Sequence, residues 1–147
     1  MEKETTNKIK ENFKMKQRVW IYGPPGVGKT TTASEFANSV KLTQEVRWFD
    51  AKTTERIEKS FKNIHEKFIG KTADLEMKLI LNSVFQRINS LKNEMLFIFD
   101  NVTDSNEIDK YLNALRSNSN IKFLITSRDQ PKTFENEYNQ IEIEALT

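Results

Sequence analysis

The residues Gly23-Pro24-Pro25-Gly26-Val27-Gly28-Lys29-Thr30 fit the pattern G-x-x-x-x-G-K-[ST], and their types at this spacing suit one chemistry, the holding of phosphate. Three of the chain's four glycines and two of its three prolines fall in this single turn. Residues without a Cβ let the backbone turn sharply and bring its N–H groups close to an anion. Lys29, expected to be exposed at the loop, puts a point charge on the β- and γ-phosphate oxygens, and the Thr30 hydroxyl is a ligand for Mg²⁺. The expected cofactor-binding residues are therefore Gly23, Pro24, Pro25, Gly26, Val27, Gly28, Lys29, Thr30 and the following Thr31. A Gly-Pro turn without chemical consequence would satisfy the same letters, so the flanking elements must decide.

They do. Arg18-Val19-Trp20-Ile21-Tyr22 is a β-branched and aromatic run of strand length, and Thr31 to Val40 places Ala33, Phe36, Ala37 and Val40 on one helical face. Strand, glycine loop and helix in that order aim the positive end of a helix at an anion.

Further along, three hydrophobic runs end in polar residues. Val46-Arg47-Trp48-Phe49 ends at Asp50, Met95-Leu96-Phe97-Ile98-Phe99 at Asp100-Asn101, and Ile121-Lys122-Phe123-Leu124-Ile125 at Thr126-Ser127-Arg128. Continuous apolar runs of this kind are strands buried on both faces of a parallel sheet. Such a sheet binds its ligand beyond the carboxyl ends of its strands, which brings these residues to the phosphate loop. Asp100 is expected to serve the Mg²⁺ site from behind Thr30, through the ion's direct ligands, and Arg128 suits a γ-phosphate through bidentate, charge-assisted bonds. Asp50 has two readings of equal standing, a helix N-cap or an acid near the reacting water; with Asp100 and Asn101 it completes the expected catalytic set.

Between the strands lie helical patterns. Thr53 or Thr54 caps a helix with apolar face Ile57, Phe61, Ile64 and Phe68, ended by Gly70. His65 on that helix reads as a surface histidine. Thr72 caps a helix with the stripe Met77, Leu81, Val84, Ile88 and Leu91, and Asp104 with Glu107 opens one carrying Ile108, Leu112 and Leu115. A short strand at Ile141-Glu142-Ile143, at a sheet edge, closes the chain. Residues 1–16, polar and Lys/Glu-rich with Ile9 and Phe13 as apolar contacts, form a lead-in helix or linker, and 17–147 a nucleotide-binding domain. The alternation specifies an α/β fold, a doubly wound parallel sheet with helices on both faces.

Composition narrows the class. With 147 residues, a net charge of +2 and 30% charged residues, the chain has no basic stripe, and nucleic acid is not an expected partner. There is no cysteine and one histidine, which removes thiolate chemistry and a histidine metal cluster. No apolar leader or membrane span is present, so a cytoplasmic protein without membrane contact is expected.

The segments Gly-Pro-Pro-Gly-Val-Gly-Lys-Thr-Thr-Thr-Ala, Phe-Ile-Phe-Asp-Asn-Val and Phe-Leu-Ile-Thr-Ser-Arg-Asp resemble the nucleotide-binding domain of the NB-ARC family, the STAND class of signalling ATPases. Val46 to Asp50 lies where that family has its second strand, and Ile141-Glu142-Ile143-Glu144-Ala145-Leu146 is similar to its closing strand and Leu. The resemblance spans residues 17–147. It implies a five-stranded sheet of order 5-1-4-3-2, an ATP/ADP and Mg²⁺ switch with Arg128 as γ-phosphate sensor, and partners in other domains or an ATP-dependent homo-oligomer. Two departures bear on function. The family has two acids where this chain has Asp100-Asn101, and an amide does not accept a proton from water, so slow or absent hydrolysis is expected. The family's helical lid, with its Gly-x-Pro segment and distal His, lies beyond Thr147, so a fragment of a longer protein or a minimal core is expected.

The main rival is an AAA-type initiator or loader ATPase acting on DNA, which calls for a basic wedge or helix-turn-helix. A GTPase would need Lys where Thr126-Ser127-Arg128-Asp129 has Ser, and a small-molecule kinase would need a lid arginine cluster.

Overall fold

The computed structural model describes residues 2–132 and 137–144, with the side chains of Glu2 and Lys3 left aside. Its elements are α1 (Glu2–Phe13), β1 (Arg18–Tyr22), α2 (Lys29–Val40), β2 (Glu45–Asp50), α3 (Thr54–Phe68), α4 (Met77–Asn89), β3 (Met95–Val102), α5 (Ser105–Leu115), β4 (Ile121–Ser127) and β5 (Tyr138–Glu142). The five strands are parallel in the order β2-β3-β4-β1-β5, the expected 5-1-4-3-2 sheet. Leu146, compared above with a family residue, lies outside the described residues.

Period-two alternation divides the sheet between two cores. Leu96 and Ile98 of β3 point with Val19, Ile21 and Leu124 toward α1 and α2, where Ile9, Phe13, Ala33 and Phe36 close the layer. Met95, Phe97 and Phe99 point the other way with Trp20, Phe49 and Phe123, against α3, α4 and α5. No helix of the described residues is long and apolar enough to cross a membrane.

Several local expectations give way to tertiary packing. Thr53 caps α3, its hydroxyl oxygen accepting from Arg56 N–H at 3.2 Å. His65 is buried instead of exposed, because its Nδ1–H donates to Gly70 O at 2.7 Å and closes the turn after α3. Thr72 caps nothing; it is buried and donates its hydroxyl back to Glu66 of α3, and α4 begins at Met77 after Glu76. The face α4 buries is Ile80, Val84 and Ile88, with Met77, Leu81 and Leu91 flanking it. Asp104 caps α5 at Asn106 N–H, whereas Glu107 accepts from the Thr54 hydroxyl at 3.1 Å and pairs with Lys110.

β5 begins at Tyr138, three residues before the expected Ile141, because a buried polar cluster holds that end. The Arg18 guanidinium lies 3.7 Å from Asp109 Oδ1, 3.2 Å from Glu137 Oε2 and 5.4 Å from the Tyr138 ring centre, and donates to Asn113 Oδ1 at 2.8 Å. Tyr138 donates its hydroxyl to Asp109. Burial, then the hydrogen bond to Asp109, raises the Tyr138 phenol well above its usual range. β1, β5 and α5 are thus tied by a cluster in which Arg18 and Asp109 are shielded from water and Glu137 is partly exposed.

Removing one partner of a buried pair strands the other charge. Asp109→Ala is expected to lower the unfolding free energy by about 3–5 kcal/mol, and the double substitution Arg18→Met, Asp109→Leu to recover most of that loss. Urea denaturation of the three chains decides it; a mild Asp109→Ala would mean that Glu137 alone suffices for Arg18.

Candidate functional site

The loop between β1 and α2 is shaped by close approach and by backbone handedness. Gly23 N–H donates to Ser127 O at 3.2 Å, and Ile143 N–H to Tyr22 O at 2.8 Å, so the start of the loop is held between the ends of β4 and β5. A Cβ on Gly23 would stand 2.3 Å from Ile143 O, inside any van der Waals contact. Gly28, at φ 91°, hands the chain to α2 in the left-handed region that glycine enters without strain. No side chain caps the N-terminus of α2, and its first turn carries no acid. Its leading N–H groups therefore face the loop opening, an arrangement suited to an anion.

Lys29 departs from its expected exposure. The residue is 9% exposed, and its Nζ donates to Gly23 O at 2.6 Å and Pro24 O at 3.0 Å. The ammonium braces the loop from within. Burial lowers its pKa below the ordinary 10.5, and repulsion from Arg128 adds to this, with Asp100 partly opposing both.

Asp100 is the junction of three elements. Its carboxylate accepts the Thr30 hydroxyl at 3.0 and 3.2 Å and the Thr126 hydroxyl at 2.6 Å. The expectation ended the third strand at Asp100, but β3 continues through a bulge to Val102: Phe99 pairs with Ile125 and Val102 with Ser127, leaving Asp100 and Asn101 opposite Thr126 alone. Asn101 takes φ 65°, and its N–H donates to Thr126 Oγ1 at 2.9 Å. Ser127 secures the far side of the bulge by donating to Val102 O at 2.7 Å.

In front of these groups lies a cleft of about 720 Å³ lined by Pro25, Gly26, Gly28, Lys29, Thr30 and Thr31 on one side and by Asn101, Arg128 and Asp129 among others on the opposite one. The structure therefore brings together the loop, Thr31, Asn101 and Arg128, with Asp100 immediately behind Thr30. Gly23, Pro24 and Val27 are not among the lining residues. Asp50 is not either: it is paired across the sheet with Asp100, but its carboxylate accepts Lys52 N–H at 3.2 Å and holds Arg56 at 3.2 Å. Thr126, which supports Asp100, escaped selection although it stands at a strand end. Asp129, another wall residue, lies at the end of the Thr126-Ser127-Arg128-Asp129 segment quoted above, with no role assigned to it there. Among the described residues no three or more His, Asp or Glu side chains are grouped so that they could hold a metal ion by themselves. The hard oxygens of Thr30 and Asp100 fit Mg²⁺, which is commonly held by one or two protein oxygens together with phosphate.

The family model of the NB-ARC domain matches residues 2–147. No curated protein matches the chain. Among solved structures, Cdc6p from Pyrobaculum aerophilum is similar at 13% identity and TM-score 0.71, over 96% of this chain and 44% of that one. A structure of Drosophila ORC bound to DNA is similar at 13% identity and TM-score 0.69, over 98% and 91%. A STAND protein with a tetratricopeptide-repeat sensor from Pyrococcus horikoshii is similar at 17% identity and TM-score 0.60, over 99% and 23%. The chain spans less than half the length of the Cdc6p and STAND chains. At these identities the likeness is one of fold.

Asn101 occupies a backbone position that suits Asn and Gly. Asn101→Gly is expected to leave stability within about 0.5 kcal/mol, whereas Asn101→Val should cost about 1–2 kcal/mol for a side chain held at positive φ. Thermal unfolding of the two variants compares them; equal values would show that the bulge relaxes freely.

Proposed function

Because the chain belongs to the NB-ARC family, we propose that it is an ATP/ADP- and Mg²⁺-binding switch domain with slow or absent hydrolysis. The observation that carries this reading is the meeting of Thr30 and Asp100 at 3.0 Å across two elements, beside an uncapped helix N-terminus. Thr30 and Asp100 hold the metal, which neutralises developing charge on the phosphates when bound. Residues Gly23 to Thr31 hold the polyphosphate through backbone N–H groups and Lys29, and Arg128 distinguishes the terminal phosphate. In this reading residues 17–147 are the nucleotide-binding unit, residues 1–16 lead into it, and the protein works in the cytoplasm with further domains or further copies of itself.

The electrostatics of Lys29 support the choice of a polyanion. Its charge is disfavoured by burial and by Arg128 in the free protein. The lowered pKa makes Lys29 a destabilising contribution while it is protonated, relieved as pH rises through its folded value toward 10.5. A polyphosphate reverses the sign by favouring the protonated form, so binding takes up protons and weakens as the pH climbs through that window.

Slow turnover follows from the acids. Asn101 can orient a water but cannot take its proton, and Asp50 is committed to Arg56 and Lys52 N–H. In this reading Asp50 acts on a water only by giving up Arg56, and its loss is expected to lower a residual rate no more than modestly.

A second reading, an initiator or loader ATPase acting on DNA, is favoured by one finding: the Cdc6p and DNA-bound ORC structures are among the similar folds. The expectation that nucleic acid is not a partner has no comparison behind it.

Lys29→Met is expected to weaken Mg²⁺-ATP and Mg²⁺-ADP by about a hundredfold, the loss of charge-assisted bonds. Calorimetry at two alkaline pH values, in buffers of differing ionisation enthalpy, should record proton uptake in the wild type and none in this variant. Binding unaffected by Lys29→Met would remove the phosphate-loop reading. Single-turnover assays should find Asn101→Asp faster than a very slow wild type; a brisk wild type insensitive to Asp50→Asn would place the water elsewhere.

A further inference from the structure

Lys52 stands two residues beyond the end of β2 and lines the same cleft. Its main chain is fixed from both sides: its N–H donates to Asp50 Oδ1 at 3.2 Å, and its carbonyl accepts the Thr103 hydroxyl at 3.1 Å. The peptide before it is fixed as well, since Ala51 N–H donates to Asp100 O at 2.9 Å. The side chain is exposed, and among the described residues its ammonium has no carboxylate in an ion pair. Asp50, the acid nearest in sequence, is occupied by Arg56. A cation on a long side chain with a pinned Cα, on a cleft wall and without an acid to neutralise it, is poised for an anion that comes from outside.

The sheet order says where that anion lies. β3 runs between β2 and β4, so Lys52 and Arg128 stand on opposite sides of Asp100. Among the described residues the cleft lining holds the cations Lys29, Lys52 and Arg128 against Asp129 as its one carboxylate. Lys29 is drawn inward by the loop carbonyls, which leaves Lys52 and Arg128 as the pair that faces whatever extends beyond the loop. We infer that Lys52 binds the terminal phosphate of the nucleotide from the β2 side while Arg128 binds it from the β4 side, so that ATP is told from ADP by two cations. Thr103 and Asp50 position Lys52 without touching the ligand. This inference rests on the cleft being an ATP/ADP site.

Titration calorimetry with Mg²⁺-ATP and Mg²⁺-ADP on the wild type, Lys52→Gln, Lys52→Arg and the double variant Lys52→Gln, Arg128→Gln separates the possibilities. Lys52→Gln is expected to weaken ATP about tenfold more than ADP, the lower end for a bond between charged groups at an exposed site. Lys52→Arg should keep most of the preference, and the double variant should bind the two nucleotides alike. Equal losses for ATP and ADP in Lys52→Gln, or none, would overturn the role of Lys52 and leave the ATP/ADP reading intact. A wild type that binds neither nucleotide would overturn both.

Discussion

The Asp100 carboxylate sits where the phosphate-loop helix, β3 and β4 converge, and it accepts two hydroxyls, with no ion-pair partner among the described residues. The carboxylate is half-buried, and its two hydroxyl donors are held in place by the elements that carry them. Thr30 is fixed by the helix that the glycine loop starts, and Thr126 by the strand that β1 and β3 flank. The order of the sheet, the bulge that offers Asp100 and Asn101 to one threonine, and the turn at Gly23 all serve that meeting. Were any of them displaced, the acid would lose a partner before the core lost a contact.

Behind this junction the free protein holds charge in an unfavourable arrangement. Lys29 is desolvated and repelled by Arg128, and the α2 N-terminus faces open space with no acid in its first turn. These terms all point the same way, toward a negative ligand. The apolar layers on both faces of the sheet, dense with Phe49, Phe97, Phe99 and Phe123, provide the stability that such an arrangement consumes.

The sheet was legible because buried parallel strands read as unbroken apolar runs and because the glycine loop marks its own strand and helix. What escaped reading depended on partners that no periodicity marks, some a turn away in the chain and some on other strands. Nothing in Met95 to Val102 announces a bulge; it arises from pairing with Ile125 and Ser127, and Asn101 is explained by its φ as much as by any chemistry. His65 and Thr72 look like surface and cap residues until Gly70 O and Glu66 are brought to them. Tyr138-Asn139-Gln140 has no strand-like run of apolar residues, yet Arg18, Asp109 and Trp20 make Tyr138 a buried strand residue. Within the site, residue types at motif spacing placed the loop, Asp100 and the segment ending in Arg128-Asp129, whereas Lys52 required the geometry of the cleft walls.

Trp20, at the centre of β1, donates its indole Nε1–H to the carbonyl of Asp129 at 2.7 Å. That carbonyl belongs to the residue after Arg128, so a movement of the main chain at Arg128 would strain the bond to the indole. The chain has two tryptophans, and the other, Trp48, is 42% exposed on the edge strand. The main chain after Arg128 is thus tied to a shielded indole in the middle of the sheet, while the second indole lies open to water and to any aqueous quencher.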